Sequence, residues 1–327
     1  MQSIIVVSVC FLLGTFGAWL IIRFGKYMGV LDVPNERSSH DNVIPKGGGI
    51  GVLSAFVFCS LYLGGAKSFW ISGLVLALVS FMGDRRDIRP RTRLVVQFGC
   101  GLVFLLGLMT VRHTHLVGYL LLVPLSVFIV GTANFYNFMD GINGIAGITG
   151  VVGFLLLAVY GHGAGSDSVY NVLSVAMASS CAGFLPFNIP RAKVFMGDVG
   201  SVLLGFVFAC LVVLLSASFF DFICMTAFLF PFYADELTTM AIRIRDGDKL
   251  SQAHRKHVYQ LLANEYGIDH WKVSLGYGVV QLVIGCVVFV IRNNDLASLL
   301  SFLAVCFFCF VLFSVGIRFK ITKKGLL

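Results

Sequence analysis

The segment Asn134–Gly144 combines amide and carboxylate side chains at a spacing that suits ligand binding. Asn134, Asn137 and Asp140 recur every three residues, so they share one face if the segment is helical. Polar side chains at the end of an apolar run are costly in a membrane unless they bind a ligand or one another. Hydrogen bonding between helices, for which asparagine is suited, is the alternative. The stripe favours a binding site.

A second segment, Phe195–Ser201, places Asp198 between Gly197 and Gly200, just before an apolar run. Glycine allows a ligand to approach the backbone closely, and a helix N-terminus attracts phosphate. The Asp198 carboxylate is a hard oxygen ligand that suits Mg²⁺. An ordinary N-cap and turn would use the same residue types, so this segment alone leaves both interpretations open.

A third segment, Gly83–Pro90, carries Asp84 and Asp87 three residues apart among several arginines. The two carboxylates either bind a cation or neutralise the neighbouring arginines. Both interpretations stay open, and the second is strongest for Asp87.

A fourth segment, from position 243 to position 260, joins arginines with imidazoles: Arg243, His254, Arg255 and His257. Two histidines on one helical face could suggest zinc. However, no cysteine or third histidine lies close in the sequence, and the neighbouring bases would repel a cation. Guanidinium groups and imidazoles together favour an anionic ligand such as a diphosphate.

A fifth segment, Leu31–His40 followed by Pro45–Gly49, is shaped by proline and glycine. It also contains Arg37 and His40, a collection that a simple connecting loop does not need. Spacing alone does not name its role.

The elements that position these segments must be membrane helices. The chain is 58% hydrophobic and only 12% charged, whereas a soluble domain carries about 25% charged residues. The net charge of +8 would suit nucleic acid, but the bases flank apolar runs, as the positive-inside rule expects. The nine cysteines lie in apolar runs, so they indicate packing rather than disulfides, and Cys306 and Cys309 have no nearby metal-binding partner.

The hydropathy pattern predicts an all-α polytopic membrane protein, a single domain over 1–327 with about eleven spans. The expected spans are 3–22, 48–65, 69–83, 94–111, 116–133, 142–161, 169–187, 200–217, 222–242, 273–291 and 297–317. The first is expected to be a membrane helix rather than a cleaved signal peptide. With the N-terminus outside, all bases except Lys67, Arg112 and Arg292 fall on the cytoplasmic side, which also holds the C-terminus and a long loop over 243–272.

The acids follow the bases to that side, with Asp167, Asp221 and Asp295 as the exceptions. Charge topology does not require this, because acids contribute little to membrane orientation. Acids and bases on one face predict a cytoplasmic site.

The five segments, in this order, resemble the polyprenyl-phosphate N-acetylhexosamine-1-phosphate transferases, the membrane family that includes the phospho-N-acetylmuramoyl-pentapeptide transferases. The resemblance extends from Asp32 to about Gln260. It implies Mg²⁺-dependent transfer of a sugar-1-phosphate from a UDP-sugar to a polyprenyl phosphate, with release of UMP. The form His-Arg-Lys-His-Val-Tyr-Gln at 254–260 is closest to the branch that initiates O-antigen and related surface polysaccharides.

The resemblance also implies roles for residues. The catalytic set would be Asp84, Asp140 and Asp198, with Asp84 and Asp198 at the metal. The substrate-binding set would be Asn134 and Asn137 near the nucleotide, Arg243, His254, Arg255 and His257 near the diphosphate and sugar, and Arg37 and His40 in the fifth segment. One departure stands out, because the family usually has two adjacent aspartates where this chain has Gly83 and Asp84.

The implied partners are UDP-N-acetylhexosamine, undecaprenyl phosphate and membrane lipid, with Mg²⁺ as cofactor and Mn²⁺ as its substitute. The implied location is the bacterial inner membrane with a cytoplasmic active site, and a homodimer is compatible with the family. The alternative is a catalytically impaired relative that binds or moves a lipid phosphate or nucleotide sugar. Its support in the sequence is Gly83.

Overall fold

The computed structural model describes residues 2–34, 39, 42–86, 88–112, 116–163, 169–249 and 254–323. Over this part of the chain the protein is almost entirely helical, which confirms the all-α prediction. The described residues contain one small sheet, in which Leu31–Asp32 pairs antiparallel with Ile44–Pro45.

The helices follow one another through the chain with short connections. They are α1 (Gln2–Met28), α2 (Ile50–Tyr62), α3 (Lys67–Arg85), α4 (Pro90–Val111), α5 (Leu122–Met139), α6 (Ile145–Gly163), α7 (Val169–Phe184), α8 (Asp198–Leu215), α9 (Phe219–Thr226), α10 (Phe230–Arg245), α11 (Val258–Gln260), α12 (His270–Ile291) and α13 (Leu296–Lys323). A π-helical turn, Leu261–Glu265, continues α11, so the predicted long loop contains a short helical segment.

Within the described residues, nine helices are long and apolar enough to cross a membrane, which makes the chain a multi-pass membrane protein. Two of the predicted spans are not continuous helices of that length. The span predicted at 48–65 is the 13-residue helix α2. The span predicted at 222–242 is divided into α9 and α10 by a 3-10 turn over Ala227–Leu229, because Pro231 at the start of α10 has no N–H to continue a helix.

Helix α8 forms the centre of the bundle, because 83% of the residues in its apolar 18-residue stretch are buried. It packs against α3 and α5, and its only charged residue is Asp198 at its first position. Helix α13 is the most exposed of the nine long helices, with 6% of the residues in its most apolar 18-residue stretch buried. Asp198 therefore lies at the end of the bundle where α3 and α5, the helices packed against α8, also end.

Candidate active site

Three helix ends meet around a cavity of about 310 Å³, and the start of a fourth helix lies beside it. Helix α3 contributes Asp84 near its C-terminus, α5 ends beside Asp140, α8 begins at Asp198, and Arg93 lies in the first turn of α4. The cavity is lined by Asp32, Ser39, Lys46, Asp84, Asn137, Asp140, Gly141, Ile142, Asn188, Phe195, Gly197, Asp198 and Gln260. The three predicted catalytic acids are thus brought together by helices that are distant in sequence.

Asp198 is held from two sides. Its Oδ1 accepts a hydrogen bond from Asn137 Nδ2 at 3.0 Å, and its Oδ2 is ion-paired with Arg93 Nη1. Asn137 Nδ2 also donates to Ser201 Oγ at 2.8 Å, which fixes the amide against α8. The N-terminus of α8 carries partial positive charge, so a carboxylate at its first position is favoured.

The turn that leads to Asp198 requires glycine. Gly197 has a φ of +73°, and a Cβ there would lie 2.6 Å from the Gly47 nitrogen and 2.9 Å from Asp84 Oδ2. The carbonyl of Phe195 accepts backbone hydrogen bonds from Gly47 at 3.2 Å and from Gly48 at 2.9 Å. The second and fifth sequence segments are therefore joined backbone to backbone, and this junction forms one wall of the cavity.

Asp84 is buried at the C-terminal end of α3, where the helix dipole disfavours negative charge. Two neighbours offset this cost. The Val199 N–H of α8 donates to Asp84 Oδ2 at 3.3 Å, and Lys46 Nζ lies 3.8 Å from Oδ1. The acid is thus stabilised by the start of α8 and by one lysine of the fifth segment.

Asp140 follows the last turn of α5 and faces the same cavity. Burial, and then the negative charges of Asp198 and Asp84, raises the pKa of Asp140 to about 8. Ionised carboxylates would repel one another here, so a ligand that brings positive charge favours their ionised forms.

The donor set fits Mg²⁺. No group of three or more His, Cys, Asp or Glu side chains suited to a metal occurs among the described residues. Mg²⁺ does not need one, because it is usually held by one or two carboxylates, with water and substrate phosphates completing its octahedron. Asp84 and Asp198 would hold the ion in this way.

Asn134, predicted to bind the nucleotide, contacts a neighbouring helix in this structure. It donates to Gln97 Oε1 at 2.7 Å, accepts from Gln97 Nε2 at 3.3 Å, and does not line the cavity. The reciprocal amide pair joins α5 to α4, which is the interhelical alternative for this stripe. Of the two asparagines, Asn137 is the one that reaches the cavity.

The predicted arginines and histidines of the fourth segment lie beside the cavity and not in its lining, although Gln260 of the same segment lines it. Arg243 is 4% exposed and donates to the Lys249 carbonyl at 2.6 Å. His257 is 3% exposed, with Nδ1 3.6 Å from Asp235 Oδ1 and Nε2 3.3 Å from Glu236 Oε2. Neither side chain lines the cavity, so their predicted contact with a diphosphate would need a ligand that extends beyond it.

His254 and Arg255 are half-buried next to these residues. Burial, and then the positive charges of His257 and Arg243, lowers the pKa of His254 to about 4. A neutral imidazole is expected at pH 7, so His254 would serve as a hydrogen-bonding group and not as a cation. The predicted residues Arg37, His40 and Asp87 lie outside the described residues.

Asp235 is a residue that the sequence interpretation missed. It is fully buried in α10 and accepts hydrogen bonds from the backbone N–H groups of Val258 at 2.9 Å and Tyr259 at 3.2 Å. The hydroxyls of Tyr277 and Thr239 donate to it at 2.7 and 3.1 Å. The acidic pair Asp235-Glu236, which follows an apolar run, is a sequence signal that could have identified it.

The segment anchored by Asp235 reaches the cavity through the two residues that follow Val258. The Tyr259 hydroxyl donates to the Phe138 carbonyl at 3.0 Å, two residues before Asp140. Gln260 lines the cavity. Asp235 thus connects the fourth sequence segment to the end of α5.

Lys46, Arg93 and Asn188 were also missed as site residues. Asn188 accepts from the Gly144 N–H at 2.6 Å and donates to the Val194 carbonyl at 2.8 Å, so it joins the first segment to the second. Lys46 and Arg93 pair with Asp84 and Asp198. Arg93 lies in an arginine-rich stretch and Lys46 in a short loop, and neither carries a distinguishing sequence signal, because packing decides which acid each one meets.

Comparison with known proteins gives one family model and several curated relatives. Residues 66–216 match the family model for glycosyl transferase family 4. The decaprenyl-phosphate N-acetylglucosaminephosphotransferase of Mycobacterium leprae is 27% identical over 84% of this chain and 79% of its own length. The probable undecaprenyl-phosphate N-acetylglucosaminyl 1-phosphate transferase of Bacillus subtilis is 23% identical over 77% of this chain and 74% of its own length.

A third relative is more similar over a shorter region. The undecaprenyl-phosphate alpha-N-acetylglucosaminyl 1-phosphate transferase of Salmonella typhimurium is 31% identical, over 60% of this chain and 58% of its own length. The range matched by the family model, 66–216, contains the helices α3, α5 and α8 that bring the three acids to the cavity. The chain is therefore similar, over residues 66–216, to glycosyl transferase family 4, and it is similar to relatives named as polyprenyl-phosphate N-acetylglucosamine phosphate transferases.

Proposed function

We propose that this protein transfers an N-acetylhexosamine-1-phosphate from a UDP-sugar to undecaprenyl phosphate and releases UMP. The convergence of Asp84, Asp140 and Asp198 with two cationic side chains around one cavity is the observation that carries the proposal. The relatives are named for N-acetylglucosamine phosphate transfer to polyprenyl phosphates, which supports N-acetylglucosamine as the first sugar to test.

The reaction joins two anions. An oxygen of the lipid phosphate attacks the β-phosphorus of the UDP-sugar, a new P–O bond forms, and the bond from that phosphorus to the bridging oxygen breaks. UMP leaves with the electron pair of that bond. Positive charge has to offset the repulsion between the phosphates, and Lys46 and Arg93 supply part of it. A Mg²⁺ ion held by Asp84 and Asp198 would supply the remainder as a Lewis acid.

The chemistry does not require a strong general base. A phosphate monoester has a second pKa of about 6, so the acceptor is largely ionised near neutral pH. Gly83 in place of an acid therefore removes no essential proton acceptor. Asp84 and Asp140 remain in the cavity to position ligands.

We assign the site to the cytoplasmic face of a bacterial inner membrane. The support is the placement of bases: Arg85, Arg86, Arg89 and Arg91 cluster at the end of the bundle where α3 and α4 meet beside the cavity. Under the positive-inside rule that end faces the cytoplasm, where nucleotide sugars are available.

The test uses purified full-length protein in detergent, radiolabelled UDP-N-acetylglucosamine and undecaprenyl phosphate. We expect a lipid-linked product with Mg²⁺ or Mn²⁺ and none with EDTA. Asp198→Asn should lower the rate by at least about a hundredfold, because the neutral amide lacks the negative charge that would hold the Mg²⁺ ion. Asp221→Asn is the matched control, because it makes the same chemical change at an acid that does not line the cavity. Asp221 lies at the start of α9, where it accepts hydrogen bonds from Ser218 and Tyr160.

Failure of any UDP-N-acetylhexosamine in a panel to yield a lipid product would contradict the proposal. The second candidate, a relative that binds these ligands without turnover, is favoured by Gly83. Activity that appears only in Gly83→Asp would support it, whereas comparable activity in both proteins would exclude it.

A further inference from the structure

Arg93 pairs with Asp198, one of the two carboxylates that would hold a divalent cation. It projects from the first turn of α4, and its Nη1 is ion-paired with Asp198 Oδ2. Its Nη2 donates to the Gly83 carbonyl at 3.4 Å, at the end of α3. The guanidinium group therefore lies between the C-terminal turn of α3 and the first residue of α8.

Gly83 supplies the space for this arrangement. A Cβ built on Gly83 would lie 2.8 Å from Arg93 Nη2, 3.1 Å from Cζ and 3.3 Å from Nε. The clash would be with the far end of a flexible side chain and not with backbone. A side chain at position 83 would therefore displace the guanidinium and leave the helix in place.

The position of Arg93 affects how strongly Asp198 can attract a metal ion. The Oδ1 atom of Asp198 is already engaged by Asn137, so Oδ2 is the oxygen through which a cation gains most. A guanidinium on that oxygen offsets the negative charge that would attract a metal, and it repels the metal directly. Asp84 is similarly accompanied by Lys46 at 3.8 Å.

We propose that Arg93 sets the divalent-cation affinity of this site, because it occupies Asp198 until a cation displaces it, and that Gly83 is the position that permits this competition. The inference rests on the proposed function in that Asp198 is taken as a cation ligand. It assigns a role to the glycine that departs from the family pattern: the residue leaves space for a competing cation.

The experiment measures Mn²⁺ binding directly, without turnover. Purified full-length protein in detergent is titrated with Mn²⁺, and free Mn²⁺ is followed by electron paramagnetic resonance. Arg93→Gln should lower the dissociation constant by about tenfold, because a neighbouring positive charge is removed from the oxygen that the metal uses. Arg93→Lys should stay close to the wild type, since it keeps the charge.

Arg91→Gln is the matched control, because Arg91 is an exposed arginine two residues earlier in the same helix. It makes the same change in net charge, and we expect a change of less than about twofold, because an exposed charge is screened by solvent. An equal effect of the two substitutions would overturn the proposal, since it would then reflect net charge alone.

Position 83 gives an independent test that leaves Arg93 in the sequence. Gly83→Ala should tighten Mn²⁺ binding by a few-fold, because the added methyl group pushes the guanidinium from Asp198. Gly83→Asp should tighten it further, because the new carboxylate pairs with Arg93 and releases Asp198. Unchanged or weaker binding in Arg93→Gln would overturn the proposal, whatever the position 83 variants show.

Asp198→Asn separates this inference from the proposed function. If it does not weaken Mn²⁺ binding, the cation site itself is wrong and both proposals fail at this point. If it abolishes binding while Arg93→Gln leaves binding unchanged, the metal site stands and the competition by Arg93 does not.

Discussion

Two groups of acids lie near the same end of the bundle, and their surroundings differ. Asp235 in α10 accepts hydrogen bonds from two backbone N–H groups and two hydroxyls, and it does not line the cavity. Asp84 and Asp198 have fewer described partners, one or two donors and a cation each, and both face the cavity. We call these the anchor acid and the cavity acids.

The difference separates a structural carboxylate from a binding one. Internal donors satisfy the anchor acid, so a ligand would gain little by replacing them, and loss of the acid would leave those donors buried without a partner. The cavity acids keep unused acceptor capacity next to an open volume. Removing one of them should therefore affect function more than stability, and removing the anchor should affect both.

The largest effect is expected at a cavity acid. Asp84→Asn should reduce the transfer rate by roughly a thousandfold, because it removes one of the charges that would hold the cation. It should leave the thermal midpoint in detergent unchanged or higher, since a buried charge is removed. Radiolabel transfer and a melting curve on the same preparation check both halves. A large loss of stability would place Asp84 with the anchor.

The anchor acid gives the next largest effect. Asp235→Asn should lower the free energy of unfolding by about 2–3 kcal/mol, because the amide cannot accept from all four donors. Limited proteolysis should then cut more rapidly between α10 and α11. Tyr277→Phe, which removes one of the four donors, is the graded control and should cost about 1 kcal/mol. Unaltered proteolysis in Asp235→Asn would contradict the anchoring role.

The link from anchor to cavity is tested at Tyr259. Tyr259→Phe deletes the hydroxyl that donates to the Phe138 carbonyl and should reduce turnover by roughly tenfold, with a stability cost of about 1 kcal/mol. Tyr62→Phe, at an exposed tyrosine, is the control. If the two variants are equally active, the anchored segment does not position the cavity.

The smallest effect is expected at the amide pair between α4 and α5. A double-mutant cycle with Asn134→Ala and Gln97→Ala should give a coupling energy of about 1 kcal/mol in stability. The KM for the UDP-sugar should change by less than about threefold, because neither side chain lines the cavity. A large rise in KM for Asn134→Ala alone would support the nucleotide contact that was predicted for Asn134 from the sequence.

Local signals predicted much of this protein. Long apolar runs predicted the helices, and the turn Gly197–Asp198 predicted a helix start with a usable carboxylate. Prediction was weaker where an apolar run is interrupted, because a hydropathy window averages over Pro231 and the 3-10 turn before it. Asn137 and the three predicted catalytic acids line the cavity, whereas Asn134, which spacing and the family resemblance grouped with them, contacts Gln97.

The sequence by itself determined an all-α membrane protein with ordered acidic and glycine-rich motifs, because hydropathy, helix periodicity and motif order are read along the chain. Only the tertiary structure decided which polar side chains meet. Asn137 donates to Asp198, whereas Asn134 pairs with Gln97. Lys46 lies beside Asp84, and Arg93 fills the space next to Gly83. Those pairings depend on helix rotation and on contacts between residues far apart in the chain. A charge that looks like any other in the sequence acquires its role from the partner that packing brings to it.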